Sequence, residues 1–187
     1  MSNCEPDLEI QQIAEGYALD MIDYAKQTYG IDLDWSDDSV QQVGRIAAVL
    51  HDEYEKAPPS DEQTAPFYKM LGSYIREVFR RNYGAEWGWV TVQGNRFPGM
   101  RRKPDSLFWP WGKALNRIVN GPEDNLWHYY RVLLSSVGAS HGPIPTAYAR
   151  RSAWEKPTMT PSVLAICLAS VLRHCNLRVA VSPRGQK

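Results

Sequence analysis

Three successive segments, residues 7–29, 37–56 and 63–83, return an apolar side chain every three or four positions, and at Glu86 that period breaks. No other feature constrains the fold as strongly, because each segment then makes a helix with one stripe to bury, and the stripes need each other. The first stripe is Ile10, Ile13, Tyr17, Met21 and Tyr24, with Asp7 placed to cap the helix start and Gly30 to take the positive φ that ends it. Val40, Val43, Ala47, Leu50 and Tyr54 form the second, which Ser36 can cap and Pro58-Pro59 terminates. Phe67, Leu71, Tyr74, Ile75 and Val78 form the third, on which Arg76, Arg80 and Arg81 predict a basic side. Gly72 in mid-helix costs about 1 kcal/mol relative to Ala; it either marks a close crossing or carries no packing role.

From Glu86 to Val92 the chain is aromatic and β-branched, which favours a strand. Gly94-Asn95 reads as a two-residue hairpin turn, and Arg96-Phe97 as a return strand cut short by Pro98-Gly99. Arg101-Arg102-Lys103-Pro104 is expected to be a solvated loop and Leu107-Phe108-Trp109 a further short strand. Helical spacing resumes at Pro110, a good first helical residue, with Trp111, Leu115, Ile118 and Val119 on one face. After Gly121-Pro122, Asp124 or Asn125 can cap a fifth helix through Leu126, Tyr129, Tyr130, Leu133 and Val137, closed by Gly138. The fold class expected is therefore α+β: about five amphipathic helices packed around a short aromatic hairpin or small antiparallel sheet.

Residues 1–138 read as one domain and 139–187 as a basic, proline-containing extension with one apolar helix at about 161–173. The 187 residues hold 21 Lys+Arg and 21 Asp+Glu, but these are not evenly spread. Residues 1–66 carry 15 acids and 3 bases, whereas residues 67–187 carry 6 acids and 18 bases. Either the two regions neutralise each other within the monomer, or two faces of opposite sign steer partners. Zero net charge argues against a dedicated nucleic-acid binder. No apolar run is long enough to span a bilayer, the first residues lack the pattern of a secretory leader, and three unrelated cysteines suit a reducing compartment, so a cytoplasmic location away from membranes is expected.

Three sequence words carry a resemblance. They are Asp32-Leu33-Asp34-Trp35-Ser36; Leu71-Gly72-Ser73-Tyr74-Ile75-Arg76-Glu77-Val78 running on to Gly84-Ala85-Glu86-Trp87; and Trp109-Pro110-Trp111 followed by Lys113 and Arg117-Ile118-Val119-Asn120-Gly121-Pro122-Glu123-Asp124. Over about residues 31–135 the chain resembles a group of small uncharacterised bacterial proteins of a domain-of-unknown-function type. The resemblance implies a compact α+β unit with aromatic words at its turns and brings no reaction with it. The segment after Gly138 departs from the pattern.

Catalytic constellations are sparse. No Walker A, G-x-G-x-x-G, G-x-S-x-G or HExxH word occurs, and His51, His128, His141, His174, Cys4, Cys167 and Cys175 lack the paired spacing of structural zinc. No metal, cofactor or catalytic residue is therefore expected. Asp32, Asp34, Asp37 and Asp38, four acids in seven residues, are enough for a divalent cation or an acid–base pair, yet capping and dipole compensation at a helix start explain Asp37 and Asp38 first. Glu77, flanked by Arg76, Arg80 and Arg81, is explained by an ion pair within its helix. Trp87, Trp89, Trp109 and Trp111 alternate within two short stretches, which places each pair on one face if both are extended; they form either an aromatic core or, with Arg101 and Arg102, a recognition groove.

The function expected is recognition without catalysis: a cytoplasmic bacterial interaction module such as a toxin-neutralising immunity protein or an adaptor, engaging another protein through its acidic N-terminal or its aromatic and basic central surface. The alternative is an enzyme or small-ligand binder with a pocket near Trp89 and Trp109, using Glu86 or His128. A third reading is a single-stranded nucleic-acid module on Trp87, Trp89, Arg101, Arg102 and Lys103.

Overall fold

The computed structural model describes residues 3–92, 94–102 and 106–138. The expected extension 139–187, with its helix at 161–173, lies outside the described residues, as do Lys103 and Pro104 of the expected loop. In chain order the elements are β1 (Asn3–Pro6), α1 (Leu8–Tyr29), α2 (Ser39–Lys56), α3 (Asp61–Tyr83), β2 (Glu86–Val92), β3 (Asn95–Arg102), β4 (Ser106–Phe108), α4 (Pro110–Asn120), a short 3-10 turn (Pro122–Asp124) and α5 (Leu126–Ser135). The strands form one antiparallel sheet in the order β1-β2-β3-β4. The fold class is thus α+β, five helices with a small four-stranded sheet among the described residues.

Local rules place most boundaries. Asp7 Oδ1 accepts from the backbone N–H groups of Glu9 and Ile10, and Gly30 ends α1 at φ +67°. Ser60 and Gln63 close a reciprocal capping box at the start of α3. Asn125 rather than Asp124 caps α5, accepting from His128 N–H.

Four expectations are corrected. Ile13 is exposed, because α1 buries Ile10, Ala14, Ala18, Met21 and Ala25, a stripe rotated off the one anticipated. The hairpin turn lies one residue early, since Val92 pairs with Asn95 and Gly94 takes φ +82°. Strand β3 runs through Pro98-Gly99 to Arg102, so Arg101 and Arg102 are ladder residues rather than loop. Pro98 is tolerated because β4 pairs only with residues 100–102, which leaves β3 an effective edge at Pro98. Strand β1 was not anticipated at all: Asn3 pairs with Thr91, far away in sequence.

Helix α3 is the centre of the described residues, and every residue from Met70 to Phe79 is buried. It packs against α1 and α4, while α2 packs on α4 and α5. Gly72 marks a close crossing: a Cβ there would lie 2.7 Å from the Pro110 carbonyl oxygen. Burial on all sides also corrects the expected basic face, because Arg76 points inward while Arg80 and Arg81 reach the surface.

Candidate functional site

The three words that carry the resemblance converge on α3. From the first, Trp35 stacks on Tyr74 at 5.0 Å between ring centres, and its backbone N–H donates to Tyr74 Oη at 3.0 Å. From the third, the Trp111 indole N–H donates to Ser73 Oγ at 2.8 Å. One turn along α3 the Trp87 indole N–H donates to Glu77 Oε1 at 2.9 Å. Trp87 and Trp111 then touch each other, ring centres 6.2 Å apart. The most unusual words of the sequence therefore encode attachment to the central helix.

Each aromatic candidate has a definite place. Trp87 is core, 1% exposed. Trp89, half-buried, donates from its indole to Asp7 Oδ2 at 3.1 Å and lies under Arg96, which pairs with Glu5 at 2.7 Å. Trp87 and Trp89 share a face of β2, as alternation requires. Trp109 and Trp111 do not form such a pair: Trp109, 40% exposed, is the N-cap of α4 and Trp111 is already helical, with Lys69 5.7 Å above its ring. The two basic candidates stand at the end of β3. Arg101 pairs with Glu86 at 3.3 Å, and Arg102 donates from Nε to the Tyr83 carbonyl at 3.3 Å.

The acidic candidates separate by burial. Asp34 is exposed and accepts from the Ser36 hydroxyl at 2.6 Å and the Ser36 amide at 3.0 Å, and these bonds hold its carboxyl below the usual range. Asp38 is exposed and accepts from Gln41 Nε2 at 3.2 Å. Neither Asp37 nor Asp38 caps α2 with its side chain; Ser36 Oγ accepts from the Ser39 N–H instead, and α2 starts at Ser39. Asp37 turns inward to receive the hydroxyls of Tyr83 and Tyr130, the latter at 2.5 Å, and Asn82 Nδ2 at 3.1 Å. Burial and that carboxylate push the Tyr83 phenol up to about 12 and raise Tyr130 further.

Two charged residues that the sequence placed on a surface are interior. Glu77, 0% exposed, accepts from Arg80 at 2.9 Å and from Arg81 at 3.4 Å besides Trp87, so the expected helix ion pair exists but inside the protein. Arg76, also 0% exposed, has no carboxylate among the described residues and donates from Nη2 to Tyr129 Oη at 2.6 Å. Trp35 is the only non-glycine residue described with positive φ, at +64°, and Arg81 covers its outer ring face at 3.7 Å. A tryptophan in that backbone region is costly and is over-determined here by the Tyr74 hydroxyl and Arg81. Periodicity gave no sign of either feature.

Among the described residues no group of three His, Cys, Asp or Glu is arranged to hold a metal ion. His51 Nδ1 is engaged with the Ile118 carbonyl at 2.9 Å, His128 and Glu86 are exposed, and no described helix is long and apolar enough to cross a membrane.

No protein-family model matches the chain, and no curated protein matches it. Among solved structures the chain is similar to a crystal structure from Bacteroides thetaiotaomicron VPI-5482, at 16% identity, over 72% of this chain and 48% of that one, with a TM-score of 0.53. The chain thus spans about half the length of that protein. At this identity the likeness concerns the fold, and it is consistent with the resemblance to small uncharacterised bacterial proteins.

Proposed function

We propose that this chain is a cytoplasmic bacterial recognition module of the immunity-protein or adaptor kind, and that it binds a basic partner protein through acids of its first third. The observation that carries the reading is how its acids are divided. The buried carboxylate of Glu77 and the half-buried one of Asp37 are occupied by guanidinium, indole, amide and phenol donors. Asp23, Asp32, Asp34, Asp38, Asp61 and Glu62 stay exposed in a region with few bases. A surface of one sign on a rigid body steers a partner of opposite sign and needs no reacting group.

The nucleic-acid reading has less behind it, because Arg101 and Arg102 are engaged by Glu86 and the Tyr83 carbonyl and Trp87 is buried. The test is capture from native lysate at low salt by the full chain and by its Asp34→Lys/Asp38→Lys variant. A basic protein retained by the parent, released by salt and lost by the variant is the expected result. Retention that ignores both salt and charge reversal sinks the reading.

A further inference from the structure

The alternation of hydrogen bonds across the sheet fixes which backbone groups face outward. The Asp7 N–H donates to the Trp87 carbonyl at 3.0 Å, so Trp87, Trp89 and Thr91 turn their peptide groups toward β1. Their partners Glu5 and Asn3 turn toward β2, and the intervening Cys4 and Pro6 turn away from it. The same alternation sends Gly88, Val90 and Val92 toward β3, where they meet Gly99, Phe97 and Asn95. Arg96, Pro98, Met100 and Arg102 are left pointing outward. Strand β4 takes up Met100 and Arg102 through Phe108 and Ser106. Beyond it, the outer side of β3 is open at Arg96 and Pro98.

Both open stretches therefore carry a proline at an outward-facing position, Pro6 exposed and Pro98 half-buried. At an inward-facing position of β1 or β3, a proline would cost the sheet one of its own bonds. At these two it removes only a donor that an incoming strand would need. Such a strand would have one carbonyl unanswered at each proline, and leaving a buried acceptor unpaired costs more than a made bond returns. The remaining edge, β4, is three residues long and turns only Leu107 outward, so its shortness has the effect that proline has elsewhere. Phe97, 45% exposed beside Pro98, gives the open part of β3 an apolar side chain and makes such protection necessary.

We infer that Pro6 and Pro98 close this sheet to strand addition by a second copy of the chain. A second copy is the strand donor at issue because it carries the same edges, and an antiparallel strand set against its own copy about a two-fold axis is complementary to itself. Charge does not protect these edges. Arg96 and Glu5, the charged side chains beside them, neutralise each other at 2.7 Å and leave little like-charge repulsion between copies. The missing donors are what remains to keep a second strand away. This inference stands whether or not the acidic surface proposed above binds a partner.

The test compares the full chain with its Pro98→Val and Pro6→Val variants, by sedimentation over a concentration series and by amide hydrogen exchange. In the parent the Arg96 amide is expected to exchange rapidly at every concentration. Pro98→Val should self-associate roughly tenfold more tightly than the parent, the return of one hydrogen bond and relief of one unpaired carbonyl. Its Arg96 amide should become protected as concentration rises. Pro6→Val should behave alike through the Cys4 amide. Arg96→Pro/Pro98→Val puts a proline back at the next outward position and should return to the parent's association. A folded Pro98→Val that associates no more than the parent, association that leaves the Arg96 amide unprotected, or failure of Arg96→Pro to reverse it overturns the inference. Where a variant does not fold, the parent's Arg96 amide decides, since protection that grows with concentration means that the edge is already paired.

Discussion

Asp37 shows how far a single residue can depart from the role its position suggests. At the start of a helix, a carboxylate ordinarily meets backbone N–H groups; here it gathers Tyr83 and Asn82 from the end of α3 and Tyr130 from α5. Asp37→Asn should therefore lower stability by about 3 kcal/mol, because hydrogen bonds to a charged acceptor are lost from two phenols at once. Denaturant unfolding measures this, and a change below about 0.5 kcal/mol, the level of an ordinary surface substitution, counts against the bridge. Burial and these bonds together set an alkaline limit. Tyr83 ionises at about 12 in the folded chain against 10.0 for the free phenol, so its contribution is whole below pH 10 and is lost as pH rises towards 12. Tyr130 shifts in the same direction. In an absorbance titration these two tyrosines should ionise later than the rest, and Asp37→Asn should lower both only in part, because burial, the larger cause, remains. None of this was legible in residues 32–38, where four acids looked alike; what separates Asp37 from Asp34 and Asp38 is which of them faces α3.

Among the elements, α3 carries the organisation. Its sequence reads as an amphipathic helix with a basic side, yet it is covered from Met70 to Phe79, so one face bonds Trp87 and Trp111, another stacks Trp35 and a third holds Arg76. Its contact with α4 depends on Gly72, where an added Cβ would meet Pro110 backbone atoms at 2.7 and 2.8 Å. Backbone cannot yield as a flexible side chain does, so Gly72→Ala should cost about 1–3 kcal/mol, overriding the gain in helix propensity. A thermal melt checks it: a variant as stable as the parent would show that the crossing can relax. The helices were largely legible because caps such as Asp7 and Asn125 and the three-and-four spacing are local signals. The sheet was half legible. Strand β2 announced itself by composition, whereas β1 is four residues whose only reason to be extended is a partner it meets through the fold.

For the whole molecule, charge is the property that sequence and structure treat most differently. Sequence counting separates 15 acids and 3 bases in residues 1–66 from 6 acids and 18 bases beyond them. Folding then moves Arg76 and Glu77 inside and leaves acids such as Asp23, Asp32, Asp34 and Asp38 in solvent. If those acids steer a basic partner, its association rate should fall about tenfold or more between low and physiological ionic strength, while dissociation changes little. Stopped-flow mixing across a salt series measures both, and a flat on-rate removes electrostatic steering. The five helices among the described residues, their order, the β segment after Glu86 and the charge asymmetry were determined by the sequence itself, because each depends on residues a few positions apart or on simple counts. Which arginine is buried without an acid among the described residues, which aspartate bridges two helices, and which strand joins the sheet were decided only in three dimensions. Spacing along a chain specifies the face on which a side chain stands, but its partner comes from whatever distant segment packs against that face.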